Sequence, residues 1–291
     1  MAICNACPRG CKIDRRKTVG YCGTGEDIKI ARVGLHKWEE PCICYGEGSG
    51  TIFFSGCNLK CVYCQNFEIS HQYNGVIVDR TKLCEEILHL QELGACNINL
   101  VTPSHYTEEI KKVLEMVKPE LTIPVVYNSS GYDSVESIEK LDGLIDIYLP
   151  DIKYFSRDMG LKYSKAENYF DVASLALNEM IKQVGYTHID EGRMKKGVLV
   201  RHLVLPGGYR DSINILEYLA EKYQSDKLGI SLMCQYFPGF MAKEYPELNR
   251  RITSFEYKKV IEKAEELGFV IGFVQDRSSA TDEYVPSFDY K

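Results

Sequence analysis

From residue 51 onward, short apolar, β-branched runs alternate with helical ones, and few folds accommodate that pattern. TIFFSG (51–56), NINLVTP (97–103), IPVVYNSSGY to about Asn128, LIDIYLPDIKY (144–154), VLVRHLVLPG (198–207) and LGISLMCQYFPG read as strands. FVIGFVQ closes the pattern as a last short strand. Between them, TKLCEEILHLQELG puts Leu83, Ile87 and Leu90 on one helical face and ends at Gly94. TEEIKKVLEMVK turns Ile110, Val113, Leu114 and Val117 inward; DSVESIEKL is a short helix capped by Asp133. Helical segments occupy much of 156–184, DSINILEYLAEKY is a helix, and SFEYKKVIEKAEELG is one capped by Ser254. HIDEGRMKKG reads as a polar turn. This is an α/β chain with a parallel sheet covered by helices. Three strands end in polar loops, NLVTPSHY, VVYNSSGY and YLPDIKY, and sites in such folds gather at the C-terminal strand ends.

The chain has 291 residues, 45% hydrophobic and 26% charged, which supports a sizeable core. A formal net charge of -6 without a long basic run argues against nucleic acid as partner. No signal-like or membrane-length apolar stretch is found, so the expected compartment is the cytoplasm, where thiols stay reduced. Twelve cysteines there call for an explanation other than disulfides. Seven fall in two clusters: Cys4, Cys7, Cys11 and Cys22, then Cys57, Cys61 and Cys64. Metal or iron–sulfur ligation is the economical reading.

SGCNLKCVYCQN (55–66) gives C-x-x-x-C-x-x-C directly after a strand. Three thiolates on one short loop can hold three irons of a cubane and leave the fourth open for a substrate or cofactor. With Tyr63 as its aromatic, the loop resembles the radical S-adenosylmethionine (SAM) superfamily. GSGTIFFSGCNLKCVYCQNFEIS is similar to the branch related to pyruvate formate-lyase activating enzymes, in particular its PflX-like members. The resemblance implies a partial (β/α)6 TIM-type barrel, a [4Fe–4S] cluster on Cys57, Cys61 and Cys64, and SAM on the open iron. It further implies reductive cleavage of SAM to a 5′-deoxyadenosyl radical that abstracts hydrogen, an anaerobic setting, and a low-potential donor of flavodoxin or ferredoxin type.

Other positions carry over from the resemblance one at a time. Asn66 matches an asparagine that contacts the cofactor. Where the activating enzymes have a GGE segment, this chain reads VTPSHY, so Thr102 and Ser104, with His105, are candidate substitutes. A DTNG-like segment is here NSSG, giving Asn128 and Ser129. LPDIK supplies Asp151, which in the family helps hold a monovalent cation, and Lys153, a catalytic candidate that reaches cofactor or substrate. With Asn128 in place of an acid, the cation site should be weaker. Arg201 matches an arginine near the cofactor, and Gln235 and Tyr236 fall in the region facing the adenosine.

Cys4, Cys7, Cys11 and Cys22 form C-x-x-C-x-x-x-C-x10-C, a closed four-ligand site for zinc or for a second iron–sulfur cluster that relays electrons. Arg9, Arg15 and Arg16 are read as shielding these thiolates. Cys42 and Cys44 are read as bystanders, Cys84 and Cys96 as buried inert thiols, and Met180, Met194 and Met233 as packing. His105 taken alone reads as a helix N-terminal or surface histidine; His71, His89 and His202 carry no motif. The expected organisation is a Cys-rich metal-binding segment (1–45), the barrel (46–275) and a C-terminal tail (276–291). Three functions remain open. The first is an activase that draws hydrogen from the glycine of a partner glycyl radical enzyme. The second is radical chemistry on a peptide, another protein or a metabolite; the third is a non-catalytic metal-binding or electron-transfer module.

Overall fold

In the computed structural model of the chain, residues 3–270, 272–274, 288 and 290 are described. The strands are β1 (Ile28–His36), β2 (Ser49–Phe54), β3 (Val76–Val78), β4 (Ile98–Val101), β5 (Val125–Ser129), β6 (Ile147–Pro150), β7 (His188–Asp190), β8 (Arg193–Leu203), β9 (Gly229–Met233) and β10 (Gly272–Val274). The helices are α1 (Phe67–Ser70), α2 (Arg80–Glu92), α3 (Thr107–Val117), α4 (Val135–Glu139), α5 (Arg157–Ser164), α6 (Tyr169–Val184), α7 (Tyr209–Lys222) and α8 (Ser254–Glu266).

The sheet runs β10-β9-β8-β6-β5-β4-β2-β1-β3. From β2 to β10 along this path every pairing is parallel. β10 and β3 stand at opposite ends of the path, so the barrel is partial. The expected helical faces are the buried ones: Leu83, Ile87 and Leu90 of α2, and Ile110, Val113, Leu114 and Val117 of α3. Each such side chain contributes roughly 1.5–3 kcal/mol when fully buried.

The differences are local or long-range. Ser134, not Asp133, precedes α4; the Asp133 carboxylate is buried and accepts from Tyr127 and Ser129 instead. Thr253, not Ser254, caps α8, in a reciprocal capping box with Glu256. HIDEGRMKKG is a hairpin, β7 pairing antiparallel with β8, rather than a plain turn. Residues 28–45 are not separate from the sheet. β1 pairs antiparallel with β2 and β3, and Cys42 and Ile43 pack against Val126, Ile147, Leu149 and Leu199 inside the barrel. Cys42 and Cys96 are thus buried, while Cys44 and Cys84 are half-buried. Met180 and Met194 are buried packing residues. Ile271 and Gln275 of the last run lie outside the described residues, as does the tail 276–291 apart from Phe288 and Tyr290.

Candidate active site

Strand register builds one end of the barrel. Phe53 of β2 pairs with Val101 of β4, and Val101 with Asn128 of β5, so the three form one row. Just past β6, Asp151 bridges to Arg201 of β8. These residues line a cleft with about 1220 Å³ of empty space, counted out to the solvent at its mouth.

Cys57, Cys61 and Cys64 line the same cleft. The loop leaves β2 through Gly56, whose φ of +90° favours glycine. A Cβ there would lie 2.7 Å from the Cys22 carbonyl oxygen and 3.0 Å from His105 Nε2. Each sulfur receives a hydrogen bond. Leu59 N–H donates to Cys57 Sγ (3.3 Å), Ser164 Oγ to Cys61 Sγ (3.0 Å) and Ser70 Oγ to Cys64 Sγ (3.3 Å). Behind Ser164 stands a hydroxyl chain, Tyr154 at 2.7 Å and Tyr63 a further 2.6 Å away. Burial pushes the Cys64 thiol up to about 12, and the neighbouring Cys57 and Cys61 push the same way. Three crowded thiolates, two of them buried, need a cationic partner between them, which is what an iron cluster supplies. The donor set and its hydrogen bonds therefore fit a cluster.

A charged group meets the cysteines in the cleft. Asp151 accepts from Lys153 (2.6 Å) and from Arg201 Nε (3.0 Å), while Arg201 Nη2 donates to Asn128 Oδ1 (2.6 Å). Glu39 Oε2 lies 3.7 Å from Arg201 Nη1. Burial would raise the Asp151 carboxyl, but Arg201 and Lys153 outweigh it and hold it below the usual range. Burial would likewise lower Lys153, yet Asp151 and Cys61 keep it above its ordinary value. Both carboxylate oxygens of Asp151 already have a cationic neighbour, so this group does not fit a monovalent cation site.

Of the residues expected from sequence, Asn66, Thr102, Asn128, Ser129, Asp151, Lys153, Arg201 and Gln235 line the cleft with the three cysteines. Thr102 does so with φ +60°, a conformation rare for a β-branched residue. Ser104 and Tyr236 do not. Ser104 is buried in a 3-10 turn after β4, and Tyr236 turns away from the cleft, stacks edge-on to Tyr63 and donates to the Leu248 carbonyl. Gln235 takes the cleft side and Tyr236 the side of the Leu248 carbonyl. His105 is no surface residue. It is buried, and its Nε2–H donates to the Ser55 carbonyl (2.8 Å). His202 is buried too, between the Ile152 carbonyl and Ser212. Met233 lines the cleft rather than only packing.

Sequence reasoning missed His36, at the end of β1, and Trp38 and Glu39, in the strap after it, which reach the cleft. Their one signal was the acidic pair Glu39–Glu40 before the turn. Glu40 is buried, bonded to Ser231 (2.8 Å), and held above its usual range by burial.

The N-terminal cysteines lie beside the cluster loop. Cys57 N–H donates to the Cys22 carbonyl (3.3 Å), Arg9 Nε to the Asn58 carbonyl (2.6 Å) and Tyr21 Oη to the Leu59 carbonyl (3.3 Å). Arg9 therefore braces the loop and stacks on Tyr21, Arg15 binds Thr24, and Arg16 pairs with Asp14 at the surface. Among the described residues, no three His, Cys, Asp or Glu side chains already stand in the geometry of a single-ion site. No helix among them is long and apolar enough to cross a membrane.

Residues 51–219 match the radical SAM superfamily, over half of the chain, and the chain belongs to it. It is a radical SAM superfamily enzyme, and membership implies a [4Fe–4S] cluster, SAM and a source of electrons. An uncharacterized protein of Methanocaldococcus jannaschii is 34% identical over 272 residues, covering 90% of this chain and 74% of that one. Among solved structures, Streptococcus suis SuiB bound to precursor peptide SuiA superposes with TM-score 0.53 at 12% identity, over 76% of this chain. The chain spans 46% of SuiB's length. Methylornithine synthase (PylB) gives 0.50 at 12% identity, covering 75% of this chain and 68% of that one. A spore photoproduct lyase gives 0.51 at 14%, covering 76% and 74%. At these identities the likeness shows the fold alone.

Proposed function

We propose that this enzyme uses SAM-derived radical chemistry to abstract hydrogen from a residue of another protein or peptide, the glycine of a partner glycyl radical enzyme being the first candidate. The observation that carries the reading is the meeting of two groups in one cleft. One is the thiol trio Cys57, Cys61 and Cys64; the other is the buried charged set Asp151, Lys153, Arg201 and Asn128. Cys57, Cys61 and Cys64 would hold the cluster, which would supply one electron for cleavage of the SAM sulfonium bond to methionine and a 5′-deoxyadenosyl radical. Lys153 and Arg201, held in place by Asp151, are suited to a carboxylate, and Glu39 to an ammonium group, together the two ends of an amino acid moiety. Asn66, Thr102, Ser129 and Gln235 complete a polar lining that would orient the bound molecule. The open edges of the partial barrel leave the cleft accessible to a substrate from outside.

The test is an anaerobic assay of the reconstituted protein with dithionite and SAM, reading 5′-deoxyadenosine by chromatography. A Cys57→Ala, Cys61→Ala, Cys64→Ala variant runs alongside. Product from the wild type alone supports the reading; no product from a protein with a full iron complement overturns it. A glycyl radical signal by electron paramagnetic resonance on an added partner then selects the activase role, and its absence with a peptide product rejects it.

A further inference from the structure

The segment before β1 holds itself together without the usual means. Residues 3–27 contain no helix or strand, and none of residues 3–21 is fully buried. A segment with so little burial cannot offset its ordering entropy by packing. What it has instead is a few polar bonds to the barrel, from Arg9, Arg15 and Tyr21, and sulfur. Gly10 N–H closes a turn onto the Cys7 carbonyl (3.1 Å), and Gly23 N–H closes another onto the Gly20 carbonyl (2.9 Å). Cys4 N–H pairs with the Ile13 carbonyl (2.8 Å), which folds the first stretch back on itself. The turns bring the thiols together. Cys11 Sγ and Cys22 Sγ lie 3.6 and 3.4 Å from the point where a Cβ on Gly20 would sit, and Cys7 lies within electrostatic reach of Cys4, Cys11 and Cys22. Backbone N–H groups already aim at two of the sulfurs: Tyr21 N–H at Cys11 Sγ (3.4 Å) and Arg9 N–H at Cys7.

We infer that Cys4, Cys7, Cys11 and Cys22 hold a structural zinc ion, separate from the cluster on the barrel loop. Four thiolates make a closed tetrahedral zinc site, and N–H···S bonds are the outer support such sites need. A zinc ion with four thiolates carries two net negative charges. Arg9, Lys12, Arg15 and Lys17, on the same short segment, offset them. The sulfurs converge without yet standing at single-ion distances, so zinc would draw them in, and metal binding is coupled to the ordering of the segment. The consequence reaches the active site. The backbone bond from Cys57 to Cys22, with the Arg9 and Tyr21 bonds to Asn58 and Leu59, ties the zinc site to three successive residues of the cluster loop.

The experiment counts metals in the full-length protein carrying Cys57→Ala, Cys61→Ala and Cys64→Ala, which removes the cluster ligands. One zinc per chain, lost on adding Cys11→Ser and Cys22→Ser, is the expected result. Bound iron with visible sulfur-to-iron absorption in that variant, or no stoichiometric metal at all, overturns the inference. Because the serine variant could unfold, a second measurement loads Co2+ into the Cys57→Ala, Cys61→Ala, Cys64→Ala chain with its four N-terminal cysteines intact. Intense tetrahedral cobalt bands with thiolate charge transfer are expected, and six-coordinate oxygen-type bands would refute the site. Neither readout depends on SAM cleavage, so the zinc site and the proposed function can fail separately.

Discussion

Two sets of cysteines sit side by side in this molecule and are supported in opposite ways. Cys57, Cys61 and Cys64 belong to a loop pinned by the barrel. Leu59, Val62 and Tyr63 are buried around them, and Ser70 and Ser164 donate to two of the sulfurs from helices α1 and α5. Cys4, Cys7, Cys11 and Cys22 belong to a segment of turns in which Cys22 is the one buried member. The first set is positioned by the fold whatever it binds. The second set lies in a segment without helix or strand that is tied to the barrel by a few polar bonds, such as those of Arg9 and Tyr21. Thiol-rich motifs that look alike in sequence can thus be a product of a fold in one place and a substitute for one in another.

The largest expected effect tests the first half of that contrast. Cys57→Ala, Cys61→Ala, Cys64→Ala should abolish 5′-deoxyadenosine formation yet leave a single cooperative thermal transition within a few degrees of wild type. A broad or early melt would mean that the loop, and not the barrel, carries the order.

The seam between the two regions comes next. Gly56→Ala would force a Cβ into the Cys22 carbonyl at a φ of +90°, costing roughly 1–3 kcal/mol. Iron content should fall by more than zinc content in metal analysis. Equal losses would show that the two sites form one cooperative unit.

A smaller change is confined to the barrel side. Ser164→Ala removes the hydroxyl that donates to Cys61 Sγ at 3.0 Å. Hydrogen bonds to cluster sulfurs favour the more negative reduced state. The reconstituted variant should therefore titrate at a lower potential, followed by electron paramagnetic resonance, with iron content unchanged. An unshifted midpoint would remove the hydroxyl chain from the tuning of the site.

The smallest effect compares two buried histidines, one at the seam and one in the barrel. Burial holds His105 down to about 3 and His202 down to about 4, against an ordinary 6.5. Below pH about 6.5 the unfolded chain takes up protons that the folded chain refuses. This contribution to stability is complete above that pH. It falls by about 1.4 kcal/mol per pH unit for each histidine as pH drops toward about 4. Urea midpoints between about pH 7 and pH 5 should decline with that slope, and His202→Gln should flatten it. An unchanged slope in that variant would mean that the histidine is protonated in the fold.

Much of this was legible in the sequence because it is local. The alternation of apolar runs fixes strands and helices through neighbouring residues, and the faces of α2 and α3 follow from their 3.6-residue period. The cysteine loop is contiguous, so its spacing survives folding, and the strand-end residues Asn128, Asp151 and Arg201 share the cleft because parallel strands end at the same side. Other features are pairings across large sequence separations, which no local pattern encodes. β1 joined β2 and β3 as antiparallel neighbours, and the strap behind it brought Glu39 to Arg201. The tertiary structure also turned Tyr236 away from the cleft into the core, buried Ser104 and His105, and linked Tyr63 through Tyr154 and Ser164 to Cys61. The sequence by itself determined the fold class and the thiols of the loop, since both rest on short-range periodicity and spacing. Only the tertiary structure decided which side chains meet those thiols, because a curved sheet joins residues by register and twist rather than by their order in the chain.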